Sequence, residues 1–144
     1  MQYCDLEDIK QIVTENTLIQ LTDDDQTGVI DSDKVNDAIA YSQEVIDGFL
    51  RGRYELPLTK VPGVIKILST DLSFYRLYSR RFDTEMPEAV HDKYKTSLKI
   101  LTQIQKGHVL LDLDSPDQVP VLPGFKTNKR YEDKMFSRRR LHEY

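Results

Sequence analysis

The chain has 144 residues, 39% apolar and 31% charged, with a formal net charge of −4. That length fits one domain with a real core, and no run of about 18 apolar residues is present to span a membrane. The start lacks a basic-then-apolar leader, so neither a membrane span nor secretion is indicated and a cytoplasmic setting is expected. Cys4 is the single cysteine, which excludes an internal disulfide and a cysteine-built metal centre; it reads as a small buried hydrophobe.

Asp5 and Asp8, ahead of Leu6, Ile9, Ile12 and Val13, predict a short capped helix. Asn16 or Thr17 then starts a second short turn carrying Leu18, Ile19 and Leu21. Next comes an acidic turn that can be laid against the calcium-loop template, in which oxygen ligands alternate around a sharp glycine turn. Asp23, Asp25, Thr27, Gly28 and Asp31 fall at positions one, three, five, six and nine, and the carbonyl of Val29 at seven. Position twelve, where a bidentate glutamate should close the site, is Lys34, an ammonium where the ion needs oxygens. Two readings stand. The favoured one is a turn at Gly28 with solvated carboxylates, Asp31 or Ser32 capping the next helix. The other is a weak calcium site on Asp23, Asp25, Thr27, Val29 and Asp31, and no other cofactor is expected.

Val35, Ala38, Ile39, Ser42, Val45, Ile46, Phe49 and Leu50 mark one face of a long helix from about Asp33 to Arg53. Pro57, Pro62 and Gly63 punctuate a linker, and Pro62 serves as the first residue of a further helix to about Arg81. This helix is apolar on several sides, with Val64, Ile65, Ile67, Leu68, Leu72, Phe74 and Leu77 among its apolar positions, so it is predicted to be central. Asp71 and Arg76 fall on its polar edge. A last helix opens at Met86-Pro87-Glu88 and stops at Gly107. Val109 to Leu111 suggests a short strand, and the prolines at 116, 120 and 123 keep the chain beyond it extended. The expected fold is all-α, a small bundle of four to five helices, two of them short, with an extended C-terminal arm.

Charge is strongly segregated. Residues 1–50 hold twelve acids against two lysines, whereas residues 126–144 hold seven bases against three acids. Such a polarised chain could bind nucleic acid through its basic end or equally stack head to tail on copies of itself; the second option uses both poles, whereas nucleic acid would be repelled by the acidic one.

Chemistry is hard to find. His91, His108 and His142 lie on separate elements without a partner at metal-ligand spacing. Ser73 and Ser79 lack an activating context, and the six glycines form no phosphate-binding loop, so no catalytic residue is expected. Arg76, Arg80 and Arg81 beside Tyr75 and Tyr78 could meet phosphate; the favoured reading is that the tyrosines are core and the arginines pair with Asp83, Glu85 or a neighbouring chain. The basic tail with Arg138, Arg139 and Arg140 is the better nucleic-acid candidate, although an acidic protein surface would serve as well.

Taken together, LIQLTDDDQTGVID, IDGFLRGRYELPLTKVPGVIK, DLSFYRLYSRR and a helix ending in GHVLL resemble, over about residues 1–111, the Mu-like bacteriophage and prophage structural proteins. Phe136 to Arg138 also resembles that family's C-terminal signature. In plan the chain is similar to helical head-tail connector (adaptor, head-completion) proteins. The resemblance implies an adaptor-like domain over 1–108 and an extended basic arm over 109–144. It further implies a non-enzymatic virion protein, assembled in the host cytoplasm, that forms a homo-oligomeric ring in the neck with portal and tail proteins. Family loops often carry Asp or Asn where this chain has Thr27, a departure that weakens the metal reading. In the expected contact Tyr131, Phe136 and Leu141 anchor the arm on a neighbour and Arg138, Arg139 and Arg140 guide it by charge. The alternative is a small nucleic-acid-binding protein using that tail, on packaged DNA for example.

Overall fold

The computed structural model describes residues 1–113, which form five α-helices and no strand: α1 (Leu6–Ile12), α2 (Glu15–Thr22), α3 (Ser32–Leu50), α4 (Gly63–Ser79) and α5 (Glu88–Lys106). Each start has a local cause. At α1 a capping box closes, the Asp8 N–H donating to Asp5 at 2.9 Å and the Asp5 N–H to Asp8 at 3.0 Å. At α2 the cap is Thr14 rather than Asn16 or Thr17, because its hydroxyl accepts from the Thr17 N–H. Asp31 caps α3 through the N–H groups of Asp33 and Lys34. Pro62 and Pro87 occupy the cap positions of α4 and α5, just before the first helical residue. At the far end of α5, Gly107 takes the left-handed conformation (φ +80°) that closes a helix.

As its all-round apolar pattern predicts, α4 is central and packs against each of the other four helices. One position departs from that pattern: Ile67 is 63% exposed, on the side that no described element covers. The core has two parts. One joins Tyr3, Ile46, Leu50, Tyr54, Leu58, Ile65, Leu68, Leu72, Leu101, Ile104 and Leu111. The other joins Cys4, Ile9, Leu18, Leu21, Val35, Ala38, Ile39 and Leu77.

Between the two lies a small polar seam where α3 meets α4. The Ser42 hydroxyl is 2.8 Å from that of Ser69 and 3.0 Å from that of Ser73, and Ser69 donates to the Cys4 sulfur at 3.2 Å. All three serines are fully buried. Ser42 and Ser73 also return a hydrogen bond to their own helices, at Ile39 and Ser69, so the seam is internally satisfied. Cys4 is buried, as expected of a small hydrophobe.

No strand forms at Val109 to Leu111. Leu111 enters the core and its N–H donates to the Tyr54 hydroxyl at 3.0 Å, so this segment finds its backbone partner in a side chain rather than in a sheet. Beside it Arg53 is only 6% exposed, and its guanidinium occupies the space in front of Gly107. This contact places the ends of α3 and α5 together. Both helix C-termini carry partial negative charge, which compensates the buried cation. Among the described residues the Arg53 Nε has no hydrogen-bond partner.

Candidate functional site

The acidic turn is held by Asp23, whose carboxylate accepts from the Thr27 N–H at 2.8 Å, the Thr27 hydroxyl at 2.9 Å and the Gly28 N–H at 2.7 Å. Gln26 (φ +58°) and Gly28 (φ +78°) make the left-handed corners that let the chain fold back over that carboxylate. Asp31 closes the turn: its N–H donates to the buried Thr22 hydroxyl, while its carboxylate caps α3 and receives the Lys34 ammonium at 2.7 Å. Oxygens of Asp23 and Asp31 that the calcium template would give to an ion are thus used by the chain's own donors. Among the described residues no three His, Cys, Asp or Glu side chains come together as a metal-holding group. Asp25 and Val29 are exposed.

Asp24, which that template ignores, is the electrostatic centre. Arg80 donates to it through both terminal nitrogens, at 3.1 and 2.5 Å, and a third nitrogen–oxygen contact comes from Lys34 at 3.2 Å. Arg81 approaches at 3.5 Å while also reaching the Gln20 carbonyl and, at 3.2 Å, Asp83. Arg80 further donates to the Leu21 carbonyl. The α2–α3 loop is therefore stapled to the end of α4 through one carboxylate. Nothing local announces this, because the arginines stand more than fifty residues away in sequence.

The ionisation shifts follow from these contacts. Backbone N–H groups of Thr27 and Gly28 hold the Asp23 carboxyl below the usual aspartate range. Partial desolvation would raise Asp24, but the Lys34 hydrogen bond and the charges of Arg80, Lys34 and Arg81 outweigh it and the net shift is downward. Asp31 is lowered chiefly by Lys34, and Lys34 is raised chiefly by Asp31. A carboxyl lowered on folding contributes stability above its ordinary value of 3.8, lost as pH falls through the folded value. Lys34 contributes below 10.5, and its share is lost as pH rises through its higher folded value. The melting temperature should therefore fall along an acid limb beginning near pH 4. Asp24→Asn should lower it by a few degrees at neutral pH and flatten that limb; a limb of unchanged steepness in thermal melts would show that Asp24 does not carry it.

The tyrosines beside these arginines are packed rather than displayed. Tyr75 stacks on Tyr94 with centroids 3.8 Å apart, Tyr78 meets Phe74 edge-on at 5.1 Å, and Arg76 lies 4.7 Å over the Tyr41 ring. Asp71, on the polar edge of α4, is half-buried and only 3.7 Å from Lys93; desolvation pushes its carboxyl up. The anchors and charge guides of the expected arm contact, Tyr131, Phe136, Arg138, Arg139, Arg140 and Leu141, lie outside the described residues.

The described part is thus a small all-helical module held by packing and by a charge staple, with no helix long and apolar enough to cross a membrane. The chain belongs to the family described as Bacteriophage Mu, Gp36, whose profile matches residues 3–126. It is 28% identical over 89 residues to a Mu-like prophage FluMu protein gp36 of Haemophilus influenzae, a match covering 62% of this chain. The chain spans about 60% of the length of that relative.

Proposed function

We propose that the protein is a non-enzymatic component of the phage virion neck, a head-tail connector (adaptor) that joins a ring between portal and tail. The observation that carries this reading is a phage-family helical bundle whose acidic side chains crowd its first three helices while the basic ones crowd residues 126–144. A ring contact is heterologous, so two different surfaces of one chain must be complementary. Residues 125–144 then dock on a neighbouring subunit or on the portal, with Tyr131, Phe136 and Leu141 as apolar anchors. Mass measurement of the full chain and of a chain lacking residues 125–144, each mixed with a purified portal ring, tests the reading. The full chain should add to the portal and the shortened one should not; equal binding by both would sink the arm's role, and no binding by either would sink the connector role.

A nucleic-acid-binding protein remains the competitor because of Arg138 to Arg140. It draws less support from the bundle, where Arg80 and Arg81 are already committed to Asp24 and to backbone carbonyls. A mobility shift that weakens steeply with salt and vanishes when Arg138, Arg139 and Arg140 are neutralised would favour it.

A further inference from the structure

The faces of α3 and α5 that point away from the bundle carry opposite charge in the same spacing. On α3, Asp33, Asp37 and Glu44 stand at i, i+4 and i+11; on α5, Lys95, Lys99 and Lys106 stand at i, i+4 and i+11. At about 100° per residue each trio falls within roughly 40° of one line along its helix. That line lies opposite the buried stripe in both cases, against Val35, Ala38, Ile39, Ser42 and Ile46 in α3 and against Val90, Ser97, Leu101 and Ile104 in α5. All six side chains are on exposed residues, and among the described residues none forms an ion pair. The acids nearer the loop, Asp24 and Asp31, are by contrast neutralised within the chain.

We infer that the α3 face of one copy docks on the α5 face of a second copy, Asp33, Asp37 and Glu44 meeting Lys95, Lys99 and Lys106. The inference rests on the ring reading above and names the faces that build the ring. Two different helices of the same bundle supply the two halves, so the contact is heterologous and each copy keeps one face free for the next. Because the two trios share one spacing, all three pairs form together when α3 of one copy and α5 of the next lie side by side in the same sense. In this pairing Glu88 and Asp92, which share the α5 face, fall beyond the start of α3 on the side of the acidic loop, where they oppose the contact. Ala40 and Gly48 on the α3 face leave room for close approach. Charge sets the register here.

The test is a charge-swap series on the full chain, followed by sedimentation at low and at high salt. Wild type should form species well above the 16.8 kDa monomer at low salt and shift toward monomer at high salt. The variant K95E/K99E/K106E, with both faces acidic, and the variant D33K/D37K/E44K, with both faces basic, should each associate at least about tenfold more weakly. Mixed one to one, the two should associate again, each contact now pairing either two native faces or two reversed ones. Circular dichroism confirms that the surface substitutions leave the helices intact. A monomeric wild type, association unchanged in either variant, or a mixture that fails to associate would overturn the inference. A wild type that is monomeric yet binds the portal overturns these faces and leaves the connector reading standing.

Discussion

Gly107→Ala is expected to destabilise the protein by about 2–4 kcal/mol, one of the largest effects of any single methyl group in the chain. Two costs combine at this position. Gly107 holds φ at +80°, where an L side chain is disfavoured by about 1–2 kcal/mol. An added Cβ would also overlap the terminal nitrogen and the central carbon of the Arg53 guanidinium, and Arg53 is too deeply buried to swing aside freely. Urea denaturation of the single and double variants separates the two. In an Arg53→Ala background the cost of Gly107→Ala should fall toward the backbone share of about 1–2 kcal/mol. If the cost is the same in both backgrounds, the Arg53–Gly107 approach is not what constrains the site.

Ser42→Val should be nearly as damaging, at about 2–4 kcal/mol, whereas Ser42→Ala should cost about 1 kcal/mol or less. The valine places an extra methyl where α3 and α4 come together through Ser42, Ser69 and Ser73, and it removes the hydroxyl that both other serines approach. Alanine removes the hydroxyl alone, and Ser73 retains its bond to the Ser69 carbonyl. Comparable losses for the two variants would mean that hydrogen bonding, not helix proximity, governs the seam.

Most of the fold was legible because it is written locally. Apolar spacing fixed the faces of α3, α4 and α5; Asp5 with Asp8 and Gly107 announced two helix ends by cap chemistry, and of the two cap candidates for α3, Asp31 and Ser32, the cap is Asp31. The features that local signals missed were those decided by distant partners. Val109 to Leu111 has strand-like composition, yet its environment is a tyrosine hydroxyl from just beyond α3 and an apolar place in a helical core. Ile67 looks like core on periodicity, but no described element lies over that side of α4. In the acidic turn the alternate carboxylates matched a metal template, which draws attention to Asp23, Asp25 and Asp31. The residue that organises the site is Asp24 between them, and its role exists only because Arg80 and Arg81 arrive from the end of α4. Arg80 and Arg81 were expected to pair with Asp83, Glu85 or a neighbour. Arg81 does reach Asp83, but both arginines spend most of their donors on the α2–α3 region. Arg53 carries no sequence signal of burial at all.

The exit point of the chain has a directional consequence. Leu111 is tied to Tyr54, where α3 and α5 finish, while the acidic loop sits at the start of α3. Nineteen helical residues separate the two places, roughly 28 Å along the axis. Any assembly that aligns the bundles side by side would therefore have unlike rims, one studded with acidic loops and the other formed where α3 and α5 finish around the buried Arg53. Such a ring could be read as having a top and a bottom by whatever docks on it. A two-sided junction needs that property, because its opposite rims must receive different partners without confusion.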